Sequence, residues 1–465
     1  MNRAHRDNRV VTIVAACLAT AMLMLDISVI NTALSKIAHG LDTDLSGLQW
    51  VLDAYTIPLA ATVLTAGAVA DRLGRRALFL LGLAIFTASS ALCGAAGGIE
   101  VLVGARAVQG LGASMMFATA LALISQVTPH PQDRAKALAA YGAVIGAAFA
   151  LGPFIGGSLT ELLGWRSIFL VNVPIGAAVL WITYRWVGEG RDPTPRRIDL
   201  PGQLSLIGGL FLLVLALLRG NADGWGSTSV VAALAGAVVL LILFVVVEGR
   251  SREPMLPLRL LGQPRFAGPQ VAVIAISSSL FALFLYLTVY LQTVVGLSPI
   301  QTGLAYLPGT FLAFVVSGMT AELGARFAPA KIASVGLALV AVGIAGMLVI
   351  DVDSSWTAIL PGFLVAAVGT GLFNPTGSAL ALDAMSDEQS GLAAGANDTF
   401  RQGGVAVGIA ALGTLLPAQA LGGNAQAYVD GLHHALLAGA VIAAAGAAAT
   451  VWLLVPVRRP AEAAA

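Results

Sequence analysis

Of 465 residues only 11% are charged, 58% belong to the apolar set, and the mean hydropathy is +0.87. A soluble domain carries about 25% charged residues and keeps a hydrated surface, so a soluble enzyme, a nucleic-acid-binding domain and a disordered chain are excluded. The formal charge of +1 says little, because in a membrane protein the placement of charge matters more than its sum.

A spanning helix takes about 20 apolar residues. Such runs predict fourteen helices, over 10–35, 50–70, 77–97, 101–126, 136–160, 167–186, 201–219, 229–247, 267–293, 301–321, 332–350, 357–381, 392–416 and 433–455. The connections left over are short, with no room for a soluble domain. With the N-terminus inside, twenty of the 25 Lys and Arg fall in cytoplasmic segments, Lys36, Arg166 and Arg219 fall outside, and Arg106 and Arg401 lie within spans. By the positive-inside rule both termini are expected in the cytoplasm of a cell whose inner (plasma) membrane holds the chain. Val14-Ala15-Ala16-Cys17 after three arginines loosely suits a cleaved leader, but cleavage there would leave too little of the first span to cross.

Only Cys17 and Cys93 are present, both in apolar runs, and the five histidines fall in loops or at span ends. No disulfide framework, metal site or cofactor is expected. A G-x-x-x-x-G-K-[ST] loop for an ATP-driven pump is absent.

Two segments repeat. Gly110-Leu111-Gly112 followed by Ala120-Leu121-Ala122-Leu123 is echoed by Gly369-Thr370-Gly371 followed by Ala379-Leu380-Ala381-Leu382, and Gly67, Asp71, Gly74, Arg76 by Gly318, Glu322, Gly324, Arg326. The echoes place span 4 on span 12 and span 2 on span 10. The expected organisation is an N-terminal six-helix half (1–190), a linker with two extra helices (191–260) and a C-terminal six-helix half (261–465). Repeated halves around a midplane site are a secondary-transporter plan.

The loop Gly67-Ala68-Val69-Ala70-Asp71-Arg72-Leu73-Gly74-Arg75-Arg76 resembles the signature between spans 2 and 3 of the major facilitator superfamily. Arg106-Ala107-Val108-Gln109-Gly110-Leu111-Gly112 is similar to its Arg-containing motif, and Leu151-Gly152-Pro153-Phe154-Ile155-Gly156-Gly157 to its antiporter motif. Leu25-Asp26-Ile27-Ser28-Val29-Ile30-Asn31-Thr32-Ala33-Leu34, Trp50-Val51-Leu52-Asp53-Ala54-Tyr55 and Tyr290-Leu291-Gln292 through Leu307-Pro308 resemble the fourteen-span drug:proton antiporter branch. Ser35, Val69 and Ala325 depart from the pattern. The resemblance implies an all-α polytopic fold and a proton-coupled antiporter, not an enzyme, that exports hydrophobic drugs or antibiotics, cationic ones among them, by alternating access. The alternatives are an exporter of one endogenous metabolite or self-made antibiotic and a nutrient:proton symporter. Its partners would be small hydrophobic molecules, protons and lipid, with no nucleic acid, and it would act as a monomer.

Ionisable residues at membrane depth are costly and therefore candidates for function. Asp26 is the leading proton-coupling acid, with a purely structural hydrogen bond as the competing reading. Asp53, one turn inside the end of span 2, serves as a second proton site, as a cation attractor or as a solvated interfacial carboxylate. Arg106 must face a carboxylate, backbone oxygens or water, and Gln109 shares its face and can bond backbone or substrate; the resemblance implies that Arg106 takes part in proton handling, its fixed charge modulating a nearby acid such as Asp26. Asp398 and Arg401, at i and i+3, are expected to pair, either as a static ion pair or as one that opens during transport. Gly67 and Gly74 are expected to allow close approach and a turn, and Asp71 to latch onto a helix N-terminus of the other half. Arg72, Arg75 and Arg76 would bridge to acids or anchor the loop. Gly152, Pro153, Gly156 and Gly157 bend span 5 and permit contact with the other half. Phe284, Tyr290, Gln292, Tyr306 and Asn374 are candidate substrate contacts in the second half.

Overall fold

The computed structural model describes residues 3–128, 130–190, 199–251, 254–256, 258–324, 326–385, 390–417 and 424–454. Ala325 and the loop with Arg191, Arg196 and Arg197 lie outside them. Fourteen membrane-length helices are described: α1 Arg3–Leu41, α2 Leu45–Leu73, α3 Arg75–Gly94, α4 Ile99–Val127, α5 Pro131–Leu163, α6 Ser167–Trp186, α7 Leu200–Asp223, α8 Thr228–Arg250, α9 Pro264–Val294, α10 Pro299–Gly324, α11 Pro329–Gly346, α12 Leu360–Asp383, α13 Ser390–Gly413 and α14 Ala425–Leu454. There is no strand among the described residues. Each helix overlaps its expected span, and several run further because their polar ends extend past the apolar stretch.

Thirteen of these helices are long and apolar enough to cross a membrane. The fourteenth, α13, is as long as α12 but carries Asn397, Asp398, Arg401 and Gln402 within two turns. Two helices are irregular in ways hydropathy does not announce. α6 is interrupted at Val171, ahead of Pro174, and α9 contains π-helical turns at Ser277–Phe281 and Tyr290–Val294.

Local chemistry sets the helix ends. The carboxylate of Asp44 accepts from Gly47 N at 2.9 Å to cap α2, and that of Asp199 accepts from Gly202 N at 2.9 Å to cap α7. Between α2 and α3 the chain turns through Gly74 at φ 113°, a conformation closed to residues with a Cβ.

Helices α1–α6 pack on one another mainly as α1 on α5, α2 on α4 and α3 on α4 and α6, and α9–α14 repeat this as α9 on α13, α10 on α12 and α11 on α12 and α14. The two sets meet along two seams, α5/α10 and α2/α13, which exchange under an offset of eight helices. The extra pair α7 and α8 pack on each other, and α7 lies against both α2 and α13.

The contacts correct the register of the repeat. Gly82 and Gly112 abut across α3/α4, where a Cβ on either would stand 2.8 Å from the other's carbonyl oxygen. Gly336 abuts Gly369 across α11/α12 in the same way. Gly112 is therefore the counterpart of Gly369, not of Gly371. Gly371 instead matches Ser114: Thr62 Oγ1 of α2 donates to Ser114 Oγ at 2.7 Å, and a Cβ on Gly371 would stand 2.6 Å from the carbonyl oxygen of Ala313, the α10 residue that the loop echo pairs with Thr62. Short Gly- and Ala-rich echoes align helices correctly but slip by two residues, because many registers score alike.

Candidate functional site

Five helices converge on one polar cluster in the first half. The Asp26 carboxylate of α1 forms an ion pair with Arg106 of α4, and both side chains are 1% exposed. Its other oxygen accepts from Gln109 Nε2 and Asn172 Nδ2, each at 2.9 Å. Arg106 also donates from Nη1 to Gln109 Oε1 at 2.7 Å and from Nε to the Val51 carbonyl at 3.1 Å, and its guanidinium stacks 4.1 Å from the Tyr55 ring centroid. Ser90 Oγ of α3 accepts from Gln109 Nε2 at 2.7 Å. Such a buried pair is tolerated because every partner is supplied.

Sequence reasoning brought Asp26, Arg106 and Gln109 to one place and missed Asn172 and Ser90. The signal for Asn172 was present: it starts the second segment of α6, two residues before Pro174, where a broken helix can aim a side chain inward.

Asp53 is the contrasting case. It is 0% exposed, and neither carboxylate oxygen has a hydrogen-bond partner. One turn away, Gln49 donates to Tyr286 Oη of α9 at 2.7 Å, and the Tyr286 hydroxyl donates to the Ile409 carbonyl of α13. One turn the other way, Ile57 packs with Ala406 and Ala410 of α13. Asp53 thus lies on the α2 stripe that meets the second half, and an ionised carboxylate in that place has nothing to offset its desolvation.

Asp398 and Arg401 do not form the expected ion pair. Arg401 Nη2 reaches Ser378 Oγ of α12 at 3.4 Å and Asn397 Oδ1 at 3.5 Å, while Asp398 Oδ2 and Arg401 Nε are buried without partners. The i, i+3 spacing puts the two residues near each other, but the guanidinium points toward α12.

The second-half candidates separate. Phe284, Tyr306 and Phe363 form a triangle of rings with centroids 5.3–5.8 Å apart, and the Tyr306 hydroxyl pairs with Thr288 Oγ1 at 3.0 Å. Tyr290 donates to the Asp351 carbonyl at 2.8 Å and so faces the loop after α11. Gln292 Nε2 donates to the Thr32 carbonyl of the first half at 2.9 Å. Asn374 Oδ1 is buried and unpaired. The offset that relates Gly112 to Gly369 relates Arg106 to Phe363, and that of the loop echo relates Tyr55 to Tyr306. A ring stacked on a guanidinium in one half is thus a ring packed on a ring in the other.

The loop motif differs from expectation at two points. Asp71 pairs with Arg75 of its own motif at 3.4 Å and with no described residue of the other half. A Cβ on Gly67 would meet nothing within 4 Å, so no close approach occurs there. The N-terminus of α3 is instead capped from within the same half: Glu189 Oε1 accepts from Arg76 N at 3.0 Å and Oε2 from Ala77 N at 3.2 Å, using the preference of a helix start for negative charge. Arg76 Nη2 donates to the Tyr184 carbonyl at 2.5 Å. Arg72 belongs to the same loop.

In α5 the glycines serve two partners. Gly152 and Gly156 lie on α1, where a Cβ would stand 2.5 Å from Ser28 Cβ and 2.6 Å from Val29 Cα. Gly157 abuts the start of α10, 2.8 Å from the Pro299 carbonyl carbon, and Gly303 of α10 lies against Pro153 and Phe154. Of the four residues of the motif, Pro153 and Gly157 are the ones that meet the other half. Gly404 and Gly408 of α13 repeat the first arrangement against Ser277 and Ser278 of α9.

Hydrogen bonds between described residues of the halves gather toward one face of the membrane. At that face Glu161 Oε2 accepts from Ser298 Oγ at 2.6 Å and Ile300 N at 3.0 Å, joined further in by the Gln292 and Gln49 bonds. Nearer the middle, Thr310 donates to the Ala150 carbonyl at 2.8 Å and Thr399 to the Ala60 carbonyl at 2.9 Å. Of the glycines that touch the other half, Gly146 against Phe314 and Gly395 against Leu64 lie furthest toward the opposite face, where Asp71 sits. The halves close at the Glu161 face and part toward the Asp71 face.

The family model for the Major Facilitator Superfamily matches residues 16–409. The chain belongs to the major facilitator superfamily. It is 34% identical over 418 residues to the multidrug resistance protein Stp of Mycobacterium tuberculosis (strain CDC 1551 / Oshkosh), covering 90% of this chain and 77% of that one. It is 32% identical over 406 residues to the methylenomycin A resistance protein of Streptomyces coelicolor, covering 87% and 85%. A solved peptide transporter POT in complex with sulfate superposes with a TM-score of 0.69 at 17% identity over 95% of both chains, a likeness of fold alone. This superfamily member is a multi-pass membrane protein built on a transporter fold.

Proposed function

We propose that the protein is a proton-coupled antiporter that exports hydrophobic drugs or antibiotics, cationic ones among them, by alternating access across the inner (plasma) membrane. The termini and the Asp71 face are cytoplasmic, so the structure corresponds to the inward-open arm of the cycle. The drug and antibiotic resistance proteins among its relatives support the substrate class.

The observation that carries the proton is Asp53, a fully buried carboxyl without partners on the surface where the halves meet. A carboxyl bearing a proton fits that seam at no charge penalty, and an ionised one resists burial. Proton uptake from outside therefore licenses closure of the outer seam, and parting of the halves there rehydrates Asp53. The Asp26–Arg106 pair, saturated by donors, is the fixed charge of the first half and keeps its helices in register. Asp71, held by Arg75 while the inner ends stand apart, is free to latch when they come together.

The test is reconstitution in vesicles with an imposed pH gradient and a panel of cationic and neutral fluorescent drugs. Movement of several drugs against their gradient, with matching proton flux, is expected. Movement of one compound only would point to a dedicated exporter, and no drug-dependent proton flux would contradict the reading.

A further inference from the structure

We propose that Glu248 of α8 and Asp199 of α7 form a proton-binding site on the Asp71 face, separate from Asp26, Asp53 and Asp398, and that the shared proton holds residues 254–256 against the end of the α2/α13 seam. The site lies in the extra helix pair and does not depend on what the protein exports.

Helix α7 roofs that seam. Val214 and Leu218 pack with Ile57, Ala406 and Ala410, and Asn221 donates to the Thr414 carbonyl at 2.6 Å. Toward the Asp71 face the roof is fastened by buried Gln203, which donates to the Ala61 carbonyl of α2 at 2.7 Å and accepts from Thr65. The segment that leads from α8 to α9 closes on the same place. Leu256, 4% exposed, belongs to one apolar cluster with Ala61 of α2, Leu206 of α7, Phe266 of α9 and Ala396 of α13, and Met255 Sδ lies 3.4 Å from Thr65 Oγ1. Residues 254–256 thus tie the extra pair to both halves.

Glu248 anchors this segment. Its side chain is 2% exposed, and Oε2 accepts from Leu256 N at 3.1 Å. The other oxygen, Oε1, is buried without a partner, and so is Oδ2 of Asp199, whose Oδ1 caps α7 through Gly202 N. The two orphan oxygens border one space, since a Cβ on Gly202 would stand 3.0 Å from each. They are therefore no more than about 6 Å apart, within reach of a direct hydrogen bond or of one bridging water.

Two ionised carboxylates are acceptors only, and in a buried slot they repel. One proton on Glu248 removes both costs: its O–H donates toward Asp199, and a single negative charge is left. No counterion takes that part. The end of α8 packs on α7 and on the short helix Leu258–Leu261. Besides the two acids, these elements bring Arg250 and Arg259 to this end; both are exposed, and neither forms an ion pair with Glu248 or Asp199. Arg252 and Glu253, like Arg196 and Arg197, lie outside the described residues. Loss of the proton pushes Glu248 away from Asp199 and withdraws the acceptor of Leu256 N, so the segment loosens from the seam.

The test compares the parent with Glu248→Gln and Asp199→Asn in vesicles. Gln accepts from Leu256 N and donates to Asp199, copying the protonated site, and Asn still caps α7. Infrared difference spectra between acid and alkaline pH are expected to show a protonated-carboxyl band in the parent that Glu248→Gln lacks. Asp199→Asn is expected to lose the band at a lower pH, because the neighbouring negative charge is gone. A band unchanged in Glu248→Gln would overturn the site, and its removal by sodium or potassium at constant pH would overturn the proton as its ligand. The segment is followed through Met255→Cys in a Cys17→Ala, Cys93→Ala background, with a water-soluble maleimide. Dividing its labelling rate by that of the same cysteine combined with Glu248→Gln cancels the thiol's own ionisation. The ratio is expected to rise severalfold from acid to alkaline pH; a constant ratio would show that the proton does not hold the segment. Neither measurement uses a transported compound, so failure here leaves the export reading standing.

Discussion

Asp26 and Asp53, on adjoining helices and equally hidden from solvent, stand in opposite electrostatic situations: Asp26 receives Arg106, Gln109 and Asn172, and Asp53 receives no donor. The difference divides labour between two acids that depth in the membrane alone cannot tell apart. On the reading proposed above, one is a structural charge with its counterion built in, and the other is a carboxyl whose burial is conditional on its proton.

For the fixed pair, Asp26→Asn leaves Arg106 buried with a weakened partner set, and Arg106→Gln leaves Asp26 so. Either change alone is expected to cost about 3–5 kcal/mol of stability, and the double variant much less than the two together, because no uncompensated charge remains. Thermal unfolding of the detergent-purified variants measures this. Additive losses would show that the two side chains act independently.

The glycines of the loop and of α5 are expected to behave differently under one substitution. Gly67→Ala meets open space and should change the unfolding temperature little, within about 0.5 kcal/mol. Gly157→Ala drives a methyl into the Pro299 backbone and should cost about 1–3 kcal/mol, with loss of transport. Equal tolerance at both sites would contradict the close approach of α5 and α10.

Tyr286 joins α2 to α13 through Gln49 and the Ile409 carbonyl. Tyr286→Phe removes a link worth about 0.5–1.5 kcal/mol and should shift the population toward an opened Glu161 face. Spin labels at Asp44 and Asn424 would report a longer mean separation. An unchanged distance distribution would mean that the bond does not hold this face closed.

Much of the architecture was legible because apolar runs and arginine placement are dictated by the bilayer. The count of fourteen helices and the offset of eight follow from that constraint. What escaped was local geometry. The Asp398–Arg401 spacing permits a pair, yet a guanidinium with a neighbouring helix in reach turns away. Asp71 was read as a bridge between halves, and in the state with those ends apart its partner is Arg75. Glu189, which caps α3, lies more than a hundred residues from the motif it completes, and nothing in its surroundings marks it. The roofing of one seam by α7 is a property of packing between distant segments, invisible to any window along the chain.

The proton-carrying role of Asp53 is tested most directly by comparing parent and Asp53→Asn in the same vesicles, measuring both drug uptake driven by a pH gradient and drug-for-drug exchange without one. The amide mimics the protonated acid in shape and charge. The expected result is that Asp53→Asn keeps exchange and loses gradient-driven accumulation; accumulation at the parent's rate would contradict it.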